Sequence, residues 1–292
     1  MLQQFETYLR QEKRYSSHTC LAYLQDLAQF SEFNHCQDLS DWQEQNSATI
    51  RSWMVHLIDS GITNRSVNRK LAALRTFFKW LQKEGKIKAT PMSRVQGPKS
   101  EKRLPVFIKE QELHPNRTTP LFSDNFEGLR SQLIVELFYQ TGIRLSELIQ
   151  LKDAAISSQN IKVLGKRNKE RIIPISPELF ALIERFRQQK QIMGLDHPNF
   201  FVRANNEPLY AQMVYRLVKS VLITISAVEK QSPHVLRHTF ATHMLNNGAG
   251  LETLKDLLGH ANLSATQVYT HNSFAQLKQA YQTAHPRAVK TR

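Results

Sequence analysis

Cysteine is almost missing: Cys20 and Cys36 are the only two in 292 residues. That is too few for a disulfide framework or for a zinc site built on cysteine. Long apolar runs are missing too. The best candidates, such as Val221-Leu222-Ile223-Thr224-Ile225, have the length of a core element and fall far short of the ~18 residues of a membrane span. The opening Met1-Leu2-Gln3-Gln4-Phe5-Glu6 lacks the basic stretch and apolar run of a secretory leader. Together these absences predict a reduced, cytoplasmic protein. Glycine-rich phosphate loops, dinucleotide fingerprints and the Gly-x-Ser-x-Gly elbow are also absent. Asp153 and Asp256 stand apart from other carboxylates, so no acidic cluster for magnesium is evident. The expectation is chemistry with no metal and no cofactor.

Negative charge is the scarcer sign. Lys+Arg number 39 against 25 Asp+Glu, a formal net charge of +14. An excess of that size points to a polyanionic partner, most plausibly nucleic acid. The length suits about two domains, each able to bury a core. Residues 1–96 carry thirteen basic and nine acidic side chains, net +4, which leaves +10 for the rest. Both halves are basic, so both are expected to touch DNA, as in a two-domain clamp.

Residues 1–96 read as nearly all helix. Ser16-Ser17 precede Leu21, Leu24, Leu27 and Phe30 at helical spacing, and Trp53, Leu57 and Ile58 mark a second stripe. Val67, Leu71, Leu74, Phe78 and Leu81 form a third, closed by Gly85. Arg65, Arg69, Lys70, Arg75 and Lys79 are interleaved with it. Any one of them reads equally well as a solvated face. Together, on one helix of a basic protein, they predict a phosphate-facing surface. Pro91, Gly97, Pro98 and Pro105 frame the run Lys99-Ser100-Glu101-Lys102-Arg103, which predicts a linker at 97–106 and a second domain over 107–292.

That second domain opens with a helical pattern through Leu129, Leu133, Ile134, Leu137 and Phe138, interrupted at Thr141-Gly142. Ile161–Leu164 and Arg171–Ile175 flank a turn at 165–170 and predict a β-hairpin. After Pro177 the pattern is helical again. The predicted class is therefore mostly α, with a small β-hairpin in the second domain (α+β).

Two histidines four apart, in His234-Val235-Leu236-Arg237-His238, have zinc-protease spacing. Val235 stands where that motif needs its glutamate, which disfavours zinc. The other reading puts His234 and Arg237, three apart, on one helix face at a phosphate. Arg144 follows a glycine stop in Thr141-Gly142-Ile143-Arg144-Leu145-Ser146-Glu147-Leu148. Lys166 lies at the hairpin tip in Gly165-Lys166-Arg167-Asn168-Lys169-Glu170. Leu257-Leu258-Gly259-His260 is followed nine positions on by Tyr269.

Taken in order, Arg144, Lys166, His234-x-x-Arg237, His260 and Tyr269 resemble the tyrosine recombinase (integrase) family. The resemblance spans essentially the whole chain and looks most like the bacterial Xer recombinases. It implies a helical, SAM-like core-binding domain followed by a mainly helical catalytic domain. It also implies a double-stranded recombination site as partner, bound by a homo- or heterotetramer with a possible paralogue. The biological role would be chromosome dimer resolution or integration and excision of a mobile element.

The implied roles follow the chemistry of a phosphodiester. Arg144 and Arg237 hold nonbridging oxygens in their forks, and Glu147 orients Arg144 or forms an ordinary ion pair. Tyr269 is the nucleophile, activated by His234, His260 and the arginines. Lys166 protonates the leaving 5′ oxygen, with Lys169 as its substitute because Arg167 replaces the glycine usual after the family's lysine. Phe274, Leu277 and Tyr281 suit a helix packed either on a neighbouring subunit or on its own domain. A type IB topoisomerase and a non-catalytic DNA binder are the competing readings. The small size disfavours the first, and the complete residue set disfavours the second.

Overall fold

The computed structural model describes residues 1–99, 106–165, 170–259 and 271–288. The chain divides into two compact units, Met1–Arg103 and Leu104–Arg292. The first consists of α1 (Leu2–Gln11), α2 (Ser17–Phe33), α3 (Leu39–Glu44), α4 (Ser47–Asp59) and α5 (Asn64–Lys83), followed by a 3-10 turn at Pro91–Arg94. Side chains that compete with the backbone in a helix interior serve here as caps. Ser16 accepts from the Thr19 amide, Asn46 from Ala48 and Thr49, and Thr63 from Ser66. Each such cap contributes about 1 kcal/mol. The core between the helices is aromatic: Phe5, Phe30, Trp42, Trp53, Phe77 and Phe78 are almost wholly buried.

Two residues of the expected stripes face water. Leu21 is 55% exposed and Ile58 39% exposed. Leu21, Leu24, Leu27 and Phe30 are each three apart, and at ~100° per residue nine residues turn the helix by half a circle. Leu21 is therefore opposite Phe30, and Cys20 takes the buried position beside it.

The second unit contains α6 (Pro115–Thr118), α7 (Phe126–Thr141), α8 (Leu145–Ile149), β1 (Asn160–Leu164), β2 (Glu170–Pro174), α9 (Pro177–Ile192), α10 (Ala211–Ile225), α11 (Pro233–Asn246), α12 (Leu251–Leu258) and α13 (His271–Ala284). Helix α7 is the central element, packed on α9 and α11 and buried on nearly every side. Its N-cap, Asn125, accepts from Gly128 at 2.8 Å. Gly142 ends it in the left-handed region at φ 58°, which glycine alone reaches without cost. The strands pair antiparallel with Ile161 opposite Ile173 and Val163 opposite Arg171. Beyond this hairpin, only isolated bridges occur among the described residues.

Helix α13 packs on its own unit. Leu277, Tyr281 and Ala284 join Phe240 and Met244 of α11 and Leu254, Leu257 and Leu258 of α12 in one cluster. Just beyond it, the fully buried His285 donates from Nε2 to the Tyr139 carbonyl at 3.2 Å, and its Nδ1 accepts from the Arg287 amide at 3.1 Å.

Candidate active site

Three short pieces of chain converge at the end of α12. Gly142 stops α7, and the chain restarts two residues later as α8, with Arg144 at its N-cap. The Glu147 carboxylate reaches back to the Arg144 amide at 2.8 Å, satisfying one of the amides a helix start leaves unpaired. The same carboxylate accepts from Arg144 Nη1 at 2.8 Å. Arg237 lies one turn into α11, and exposed His234 precedes it by three residues in the first turn.

The last carbonyls of α12 have no partner within the helix. Three guanidinium groups take three of them in succession. Arg171 Nε donates to Leu257 O at 2.8 Å, Arg237 Nη2 to Leu258 O at 2.6 Å, and Arg144 Nη2 to Gly259 O at 3.0 Å. Cations here also oppose the negative end of the helix dipole. Arg237 Nη1 makes a further bond to the Gly142 carbonyl, tying the α7 stop to the α12 stop.

Arg171 was not among the expected site residues. It is 2% exposed, and its Nη1 and Nη2 fork onto both oxygens of Glu147 at 2.7 and 2.8 Å. Its signal was present in the sequence. Strand alternation puts Arg171 on the same face as buried Ile173, and an arginine on a core face requires a carboxylate.

The electrostatics follow from this packing. Burial alone would raise the Glu147 carboxyl, but the Arg171 fork and the Arg144 bonds overcome it and hold it at about 2. Burial, and after it the charges of Arg144 and Arg171, draw the Arg237 guanidinium below its ordinary value, with Glu147 opposing. Three arginines around one carboxylate leave a net charge of +2. Such a pocket suits a phosphate that gains negative charge as it reacts.

The structure therefore brings Arg144, Glu147 and Arg237 together, with His234 one turn from Arg237. Lys166, Lys169, His260 and Tyr269 lie outside the described residues. His238 is partly buried. His243 is buried against the Tyr139 hydroxyl at 3.1 Å, which gives it a structural place.

The basic face of α5 requires correction at one residue. Lys70 is 6% exposed and bonds to Asp26 at 3.0 Å and to Gln29, so it cannot face a phosphate. Apolar neighbours cover its stem while Asp26, itself buried, compensates its charge. Arg69 clamps the same Asp26, at 2.5 and 2.9 Å, from a half-exposed position. Arg75 donates to the Val95 carbonyl at 2.8 Å. Arg65 and Lys79 are exposed and have no ion pair among the described residues.

Comparison with known proteins agrees with this arrangement. Residues 116–276 match the phage integrase family, and residues 2–85 match its N-terminal SAM-like domain. The chain belongs to the phage integrase family and is a site-specific tyrosine recombinase. It is similar to tyrosine recombinase XerC of Staphylococcus haemolyticus, with 39% identity over 98% of this chain and 97% of that protein. It is likewise similar to XerC of Bacillus pumilus, with 37% identity over 98% and 96%. Among solved structures, it shares its fold with the XerH site-specific recombinase in a post-cleavage complex with a palindromic difH substrate. The TM-score is 0.73 at 19% identity, covering 96% of this chain and 84% of that one.

Proposed function

We propose that this chain is an Xer-type recombinase that cuts and rejoins double-stranded DNA through a 3′-phosphotyrosyl intermediate. The observation that carries the reading is the +2 cluster of Arg144, Arg171, Arg237 and Glu147 at the end of α12. Arg144 and Arg237 bind the nonbridging oxygens of the scissile phosphate. The Tyr269 oxygen attacks phosphorus, its proton passing to a histidine, His234 or His260. The bond from phosphorus to O5′ breaks, and Lys166, with Lys169 as its substitute, delivers a proton to that oxygen. One ester replaces another, so rejoining by an incoming 5′ hydroxyl needs neither ATP nor metal. The transition state carries about two negative charges, which the cluster matches and the ground-state phosphate does not.

Recombination joins two sites, each bound by two protomers, so the working assembly is a tetramer on DNA, of one chain or with a paralogue. The Xer resemblance places the protein in the cytoplasm, resolving chromosome dimers before cell division. Cells lacking the gene are then expected to form filaments with unpartitioned chromosomes. Normal division together with an immobile element would instead assign it to integration or excision. The chemistry itself is tested on a nicked duplex carrying the recognition site. A covalent adduct that survives denaturant, persists in chelator and vanishes in Tyr269→Phe is expected. An adduct retained in Tyr269→Phe, or none from the unaltered protein on its own site, overturns the assignment. Strand transfer between duplexes, as opposed to supercoil relaxation alone, separates recombinase from topoisomerase.

A further inference from the structure

Arg171 is too deeply buried to meet DNA, yet all its hydrogen-bonding groups are directed at the phosphate site. Nη1 and Nη2 occupy both Glu147 oxygens, and Nε holds Leu257 O. Glu147 Oε1 is shared, accepting from Arg171 Nη1 at 2.7 Å and Arg144 Nη1 at 2.8 Å. A carboxylate held by a single arginine can pivot about its own bonds, whereas one held in a second, planar fork cannot. We propose that Arg171 is a positioning residue for DNA cleavage: it locks Glu147, and through it the Arg144 guanidinium, to the end of α12. The inference rests on the recombinase reading above.

The fold makes room for this lock. Gly259 has φ 63°, and a Cβ there would lie 3.0 Å from Arg171 Cδ and 3.4 Å from its Nη1. The strand pairing of Arg171 opposite Val163 sets the guanidinium at this depth. Lysine at this position keeps the charge but offers a single ammonium where the site needs three N–H groups in one plane. A residue with only a packing role lowers the amount of competent protein. A positioning residue lowers the rate at which competent protein reacts.

The test is single-turnover cleavage of the nicked duplex by the full-length protein and by Arg171→Lys and Arg171→Gln, with thermal melting and DNA affinity measured in parallel. The expected result is affinity within about two-fold of the parent and an undiminished adduct yield. The adduct rate constant is at least ~10-fold lower in Arg171→Lys and lower still in Arg171→Gln, as befits a displaced catalytic group. Should Arg171→Gln fail to fold, Arg171→Lys decides. A parental rate constant in Arg171→Lys, with only its yield or melting temperature reduced, overturns the positioning role and leaves the recombinase reading intact. No adduct from the parent protein removes that reading, and this inference with it.

Discussion

Arg144 Nη2 donates to the carbonyl oxygen of Gly259 at 3.0 Å, across 115 residues of sequence. This bond ties the residue expected to grip the scissile phosphate to the final residue of the α12 stop. The chain from there leads directly to His260 and Tyr269. With Arg237 on Leu258 and Arg171 on Leu257, the phosphate site and the segment bearing the nucleophile share one anchorage. The arginines have a double task, binding an anion and fastening the protein's own backbone.

Arg144→Ala and Arg237→Ala are each expected to slow adduct formation by 10²–10³-fold, the cost of removing one preorganised contact to a developing charge. DNA affinity falls by only a few-fold, because binding is spread over many phosphates. Gel shift and single-turnover cleavage on the same duplex measure the two quantities. Equal losses in both would mean that these arginines contribute ground-state binding alone.

Gly259→Ala is expected to act like an arginine variant without touching a charged group. The new methyl meets Arg171 Cδ at 3.0 Å in a backbone conformation that L residues rarely adopt. Either the guanidinium shifts or the turn does, and both undo the Leu257 and Gly259 bonds. The check is the cleavage rate relative to Gly248→Ala. Gly248 also has a positive φ, but a Cβ there meets nothing within 4 Å, so this control carries the strain without the collision. Equal rates in the two variants would refute the contact argument.

The parts of this molecule legible in the sequence are those written in local chemistry. The Ser16 cap, the Gly85 and Gly142 stops, the hairpin and the α11 face with His234 and Arg237 all follow from residues a few positions apart. Arg144 was legible as a site residue because an arginine directly after a glycine stop has no local structural reason to be there. What spacing cannot supply is the partner across the fold. Lys70 looked like its neighbours on α5 until Asp26, 44 residues earlier, turned out to be buried beside it. Arg171 looked like turn chemistry until Glu147 and Leu257 closed around it. Whether α13 packs at home or on a neighbour was equally undecidable, because an apolar stripe records that it is covered and not by what.

The division within α5 gives a paired prediction. Lys70→Ala leaves Asp26 buried with one partner removed and is expected to destabilise the first unit by about 3 kcal/mol. DNA affinity of the folded protein stays unchanged. Arg65→Ala and Lys79→Ala are expected to leave stability unaltered. If those side chains meet phosphates, each lowers affinity and reduces the slope of log K against log salt by about 0.9. Thermal melts and a salt titration of DNA binding separate the two behaviours. An unchanged slope for both exposed residues would remove α5 from the DNA interface.

The C-terminal attachment carries a pH dependence whose sign is fixed by one histidine. His285 accepts at Nδ1 from the Arg287 amide and donates at Nε2 to Tyr139 O, so a single neutral tautomer satisfies both nitrogens. A second proton would displace the Arg287 bond in a buried site. Burial first, and then the charges of Arg287 and His243, hold the imidazole at about 3 against an ordinary 6.5, with the Tyr139 bond opposing. A depressed value means that the stabilisation is complete above pH 6.5 and is lost as pH falls toward 3. The loss at pH 5 is about 2 kcal/mol, at 1.36 kcal/mol per unit. Hydrogen exchange should therefore show the α13 amides, which the Tyr281 and His285 stack at 5.1 Å holds in place, losing protection between pH 7.5 and pH 5. His285→Phe retains the stacking face but cannot titrate, so it is expected to flatten that loss. If this variant loosens α13 as steeply as the parent over the same interval, the proton is taken up elsewhere and His285 does not set the pH at which the helix lets go.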